Sequence, residues 1–271
     1  MTESEDRVVS KKARILGVLV LLYGAGLHLA AMDVSGWSYL AAPIALLGSL
    51  LYKPLRQAFP GWHEGCASMR ISDFCMLLLL TLSTQFVAQL AGYFLPDRAA
   101  AGGYGLPALL YVCLFAPVGE ELLFRGFTLS LLKPHGKKLA LFASALLFAL
   151  LHGNWVQLPY TFLLGVVLGY AALRFGVIWS AILHIANNLL MGYGFPALLS
   201  LLPATMRAWV ICGLLLTLAV IGAAILAANC VKIFHWLRQD RTRPAVAKAF
   251  FGAWSVGIFM MAMLLLLLRN Q

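Results

Sequence analysis

The chain has 271 residues, 62% of them hydrophobic and 11% charged, with a mean hydropathy of +0.88 and a formal net charge of +10. Such a composition lies outside the range of a soluble globular domain. It excludes a water-soluble enzyme and turns the basic excess into a question of loop topology rather than of nucleic-acid binding.

Apolar runs long enough to cross a hydrocarbon core of roughly 30 Å, which takes about 20 helical residues, recur along the whole sequence. They lack the two-residue alternation of a barrel strand, so the expected fold class is all-α, a polytopic transmembrane helical bundle. In chain order the spans fall near 14–33, 37–52, 73–96, 107–132, 138–153, 156–174, 177–195, 208–231 and 250–268. That is nine crossings; the second and fifth are short, and eight is the natural alternative. The first span carries no convincing cleavage pattern and is expected to be retained.

Between these spans sixteen of the 20 Lys and Arg fall on one side of the membrane and three, Arg98, Arg207 and Arg269, on the other. The positive-inside rule then places the N-terminus in the cytoplasm and the C-terminus outside. The remaining one, Arg125, lies within the fourth span. Residues 232–249, KIFHWLRQDRTRPAVAKA, are expected to be a basic cytoplasmic loop facing anionic lipid. The five cysteines, Cys66, Cys75, Cys113, Cys212 and Cys230, show no metal-ligand spacing and are expected to be small apolar core residues. No repeat or linker divides the chain: 1–271 is expected to be a single integral membrane domain, with flanking helices 1–104 and 196–271 around a core 105–195.

An ionisable side chain facing lipid at the bilayer centre costs at least about 2.5–3.5 kcal/mol, so intramembrane charges are functional candidates. Of ten acidic residues only Glu120 and Glu121, in PVGEELLFRGF, lie deep, about 20 Å into the fourth span at 1.5 Å per residue. Glu121 and Arg125 are four apart and in the favourable order, so they form a charge-assisted pair. Glu120 points about 100° away with Leu123 and Phe124 as its local neighbours. It has to find a partner on another helix, meet water or hold a proton, which is how a general acid or base is made.

The fifth span offers Phe148 and His152, four apart in FALLH. The seventh offers His184 and Asn188, four apart in HIANN, with Asn187 adjacent. A single buried His or Asn in a membrane bundle more often bridges helices than catalyses, and the Gly165/Gly169 pair suits close helix packing. Polar groups on three helices at compatible depths are poorly explained that way.

EELLFRG, FALLH and HIANN, in this order on separate apolar helices, resemble the EExxxR, FxxxH and HxxxN patterns of the CPBP (CAAX protease and bacteriocin-processing, or Abi) family of intramembrane proteases. That family includes the type II CAAX prenyl endopeptidases. The resemblance covers roughly residues 105–195 and implies a glutamic intramembrane endopeptidase acting on a membrane-anchored protein or peptide in the bilayer. It implies that Glu120 and His152 activate a water, that His184 and Asn188 stabilise the oxyanion, and that Glu121, Arg125, Phe148 and Asn187 support them.

No cofactor is expected. H-E-x-x-H is absent, which argues against a site-2-type zinc protease, while a zinc site from Glu120, His152 and His184 stays geometrically open but is disfavoured. No deep aspartate pair or G-x-S-G stretch supports another protease class. The competing class is a non-catalytic membrane protein, a proton-coupled carrier or an immunity or binding scaffold, using the same buried groups. Short loops point to a bacterial inner membrane, and the loop charges to a site opening outward or laterally to lipid. No nucleic-acid partner is expected, and substrate identity and oligomeric state are not encoded in these motifs.

Overall fold

The computed structural model describes residues 3–30, 67–94, 106–239 and 242–269. Every regular element among them is helical. α1 is Glu3–Ala30 and α2 is Ile71–Phe94. α3 runs over 106–132 and α4 over Lys137–Leu151. α5 is Gln157–Phe175, and α6 occupies Val177–Ser200. α7 is Ala204–Gln239, followed by α8, Pro244–Phe251, and α9, Trp254–Arg269.

This is the architecture of a polytopic helical membrane protein. Among the described residues α2, α5, α6 and α7 are each long and apolar enough to cross a membrane, and α8 with α9 forms a further candidate bent by 68°. The eight or nine expected crossings are therefore not established; the span expected at 37–52 lies outside the described residues. α4, with 15 residues, reaches only about 22 Å at 1.5 Å per residue.

α3 and α4 pack side by side, with α5 across α4 and α6 against α5. Aromatic and branched residues of these helices, among them Phe124, Phe127, Phe148, Leu164, Leu168 and Leu183, make one core with Leu16, Val20 and Tyr23 of α1 and Phe259 and Met263 of α9. α1 and α9 lie in direct contact, Ser255 Oγ donating to the Arg14 carbonyl at 2.8 Å. α7 touches chiefly α2, where Gly222 is pressed against Ser83. Apolar side chains along its length, Trp209, Leu216, Val220 and Leu226 among them, are uncovered, as a lipid-facing helix requires.

Two expectations are corrected. The segment 232–249 is not a loop over most of its length: α7 continues to Gln239 and α8 starts at Pro244. Nothing between Val231 and Gln239 breaks a helix, Arg238 suits the last turn, where cations meet the negative end of the dipole, and Pro244 fits the first turn of α8. Of the described cysteines, only Cys113 is buried; Cys75, Cys212 and Cys230 are exposed on helix surfaces, where a small apolar side chain is as compatible with lipid as with a core. Cys66 lies outside the described residues.

Candidate active site

α3 is not a uniform α-helix. Residues Tyr111–Phe115 and Leu122–Leu129 are π-helical, flanking an α-helical Ala116–Glu121. Pro117 lacks an N–H and crowds the carbonyl one turn earlier, and the wide turn just before it relieves that clash; the Ala116 N–H reaches back five residues to Tyr111. In and just after the second wide stretch two hydroxyls bond carbonyls five back, Thr128 to Leu123 at 3.0 Å and Ser130 to Arg125 at 3.3 Å. Between the two stretches sit Glu120 and Glu121, 6% and 0% exposed.

Glu121 is held by three partners. Arg125 Nη1 donates to its Oε1 at 2.8 Å, the Ser180 hydroxyl donates to Oε2, and His184 Nδ1 lies 3.1 Å from Oε1. Burying a charge pair costs several kcal/mol per ion unless remaining donors and acceptors are also met. Arg125 meets that demand in part by donating from Nη2 to the Gly165 carbonyl at 3.0 Å and by lying 4.5 Å from the centre of the Phe148 ring. Gly165 permits this approach because it has no side chain: a Cβ there would stand 3.1 Å from Ala145 Cα and from Phe148 Cδ1. The expected Glu121–Arg125 pair and the close packing at Gly165 are both present.

Glu120 has no helix-local partner. Its Oε2 lies 3.8 Å from His184 Nε2, close enough for attraction between opposite charges but too long for a direct hydrogen bond. His184 thus stands between the two glutamates with one ring nitrogen toward each. The sequence separates the acids too sharply; the imidazole joins them. With Glu121 ionised, Nδ1 carries the proton, and Nε2 is then a donor only in the imidazolium form.

His152 ends α4. Its Nδ1 donates to the Phe148 carbonyl at 3.0 Å, since a carbonyl oxygen only accepts, and this leaves Nε2 of the neutral ring with its lone pair free. The next residue, Gly153, has φ 56°, a left-handed conformation that glycine adopts without penalty and that stops the helix there. Asn154 Oδ1 then accepts from the Val156 and Gln157 N–H groups at 2.8 and 3.0 Å, satisfying the first donors of α5. Phe148 packs edge-on against both imidazoles, with ring centres 5.1 Å from His152 and 5.6 Å from His184.

Asn188 Nδ2 donates to the Val112 carbonyl at 2.9 Å, tying α6 to the first wide stretch of α3, and Asn187 Nδ2 donates to Asn188 Oδ1 at 3.2 Å. Asn187 Oδ1 is buried without a hydrogen-bond partner, as is Arg125 Nε. No three His, Cys, Asp or Glu side chains among the described residues are arranged to hold a metal ion.

Glu120, Glu121, Arg125, Phe148, His152, His184, Asn187 and Asn188 are therefore gathered by α3, α4 and α6. The family model described as Type II CAAX prenyl endopeptidase Rce1-like matches residues 102–190. That segment is Rce1-like. The resemblance to the CAAX protease family is borne out by this match, and the Rce1-like segment holds all eight residues. Neither a curated protein nor a solved structure matches the chain.

Three contributors to the site are absent from the motifs: Ser180, the Gly165 carbonyl and the Val112 carbonyl. Ser180 stands four residues before His184 on the same face of α6, a spacing that points to it. The two carbonyls leave no mark in the sequence.

Proposed function

We propose that the chain is an intramembrane endopeptidase of the glutamic type, hydrolysing a peptide bond in the C-terminal tail or leader of a membrane-anchored protein or peptide. The observation that carries this is the placement of His184 between a fully engaged Glu121 and a Glu120 with no hydrogen bond of its own among the described contacts. A carboxylate so withheld from partners accepts a proton from water, which a structural carboxylate such as Glu121 is not free to do.

In this mechanism Glu120 takes the proton of a water as its oxygen adds to the scissile carbonyl. His152 Nε2, unprotonated in the neutral tautomer, accepts a hydrogen bond from the same water and orients it. Charge developing on the carbonyl oxygen meets the second Asn188 amide hydrogen and, when His184 is cationic, its Nε2–H. Glu121 fixes the His184 ring. Collapse breaks the C–N bond while Glu120 returns the proton to the departing amine. Preorganised donors of this kind are worth about 10²–10³-fold in rate.

The partners are the lipid bilayer and the substrate embedded in it; no metal or organic cofactor takes part. The family description makes a prenylated CAAX tail the first substrate class to test, with a bacterial sorting tail or leader peptide as the other. The setting is a bacterial inner membrane, with the N-terminus cytoplasmic, the C-terminus outside, and the site opening outward or laterally to lipid.

The deciding experiment compares wild type with Glu120→Gln in proteoliposomes, using a farnesylated CAAX peptide and, in parallel, the membrane proteome of the producing strain. Cleavage lost in the variant, with its unfolding midpoint unchanged and uncleaved precursors accumulating, supports the peptidase. Cleavage that survives Glu120→Gln removes the glutamic assignment, and no processed substrate in either readout leaves the carrier or scaffold.

A further inference from the structure

Tyr23 lies on α1, outside the three motif segments and outside the Rce1-like match. It is 3% exposed, yet its phenolic oxygen has no hydrogen-bond partner among the described residues. Its ring belongs to the core that contains Leu123, Phe124, Phe148 and Leu151. Gly24 fixes the height of this turn: a Cβ there would stand 3.3 Å from Leu151 Cδ1, level with the residue before His152. The phenol lies within electrostatic reach of the Glu120 carboxyl and of Tyr111.

A phenylalanine fills nearly the same volume without the buried hydroxyl, so packing alone does not account for the oxygen. The donors assigned from the motifs are partly committed. Asn188 gives one amide hydrogen to Val112, and His184 Nδ1 faces Glu121. A buried O–H without a partner among the described residues, on a helix turn packed against Leu151 next to His152, is well placed for charge on the scissile carbonyl.

We propose that Tyr23 is a catalytic hydrogen-bond donor of this site, its phenolic O–H donating to the scissile carbonyl oxygen as water adds. This rests on the peptidase assignment of the site. The water oxygen bonds to the carbonyl carbon, one water proton passes to Glu120, and the carbonyl π pair moves to the oxygen held by Tyr23. Collapse reforms the carbonyl and breaks the C–N bond, and the proton on Glu120 leaves with the amine. Tyr23 keeps its proton throughout, and one water is consumed per bond cut.

The test uses the full chain in proteoliposomes with a quenched-fluorescent farnesylated CAAX peptide, and precursor accumulation in the membrane proteome as a second readout. Tyr23→Phe is expected to keep the unfolding midpoint and KM while lowering kcat about 10²-fold. Replacing Tyr23 with a difluorotyrosine, which keeps the shape but acidifies the phenol, is expected to move the alkaline limb of kcat to lower pH; a packing role moves nothing there. If Tyr23→Phe lowers the midpoint, the difluorotyrosine profile decides. Wild-type kcat in Tyr23→Phe, or an unmoved alkaline limb, overturns the inference while an inactive Glu120→Gln leaves the peptidase standing. An active Glu120→Gln overturns both, as does the absence of cleavage and of precursors in every strain.

Discussion

Arg125 donates to the backbone carbonyl of Gly165, forty residues away on another helix, at 3.0 Å. The bond requires that α5 approach α3 and α4 without a side chain between them. Gly165→Ala is therefore expected to push α5 off Ala145 and Phe148, costing about 1–3 kcal/mol by overpacking. Thermal unfolding in detergent measures it, and an unchanged midpoint would remove Gly165 from the account of the site.

Arg125 neutralises Glu121 at zero exposure. Arg125→Met leaves a buried carboxylate without its cation, a loss of about 3–5 kcal/mol. The double variant Glu121→Gln with Arg125→Met is expected to be more stable than Arg125→Met alone, because no isolated charge remains. Both are expected to be inactive, since one leaves the carboxylate that faces His184 without the guanidinium that holds it and the other removes that carboxylate. The comparison needs only folded yield and unfolding midpoints; additive destabilisation would contradict the pairing.

Ser180→Ala removes a neutral donor from Glu121 while leaving Arg125 and His184 in place. The expected cost is about 1–3 kcal/mol in stability, with a smaller fall in kcat than Glu121→Gln produces. A steady-state comparison of the two variants checks it, and a Ser180→Ala enzyme as impaired as Glu121→Gln would give the hydroxyl a more direct part.

Exhaustive chelation is expected to leave peptide cleavage unchanged. Zinc catalysis needs three protein ligands and a water in tetrahedral array. Activity lost to a chelator and restored by added zinc would reinstate a metal held by Glu120, His152 and His184.

With the background cysteines removed, a single cysteine at Leu201, 80% exposed between α6 and α7, is expected to react with an impermeant reagent from outside the cell. One at Lys137 is expected to react only from the cytoplasm. Reversed labelling would invert the topology that the loop charges dictate.

The helical class, the three motif helices and the Glu121–Arg125 pair were all legible in the sequence, because periodicity and i,i+4 spacing are local signals. Phe148 and His152, and His184 and Asn188, came from the same rule. The bridging of Glu120 and Glu121 by His184 was not legible: it depends on how α6 sits against α3, and an ideal helix rotates the two acids apart. The wide turns at 111–115 and 122–129 were hidden because they depend on which carbonyl each N–H selects, to which side-chain identity gives little clue. The continuation of α7 to Gln239 is not legible because a run of charge reads as loop, whereas a basic helix end is equally stable beyond the lipid.

The Trp155 indole N–H, in the turn after His152, donates to the carbonyl of Leu267 at 2.8 Å, and α1 lies against α9 through Ser255 and Arg14. α9 follows every other described helix in the chain, so during synthesis the turn beyond His152 waits for a carbonyl that emerges after all the motif helices have entered the bilayer. An unfinished chain therefore carries every motif residue without the clasp that closes this corner.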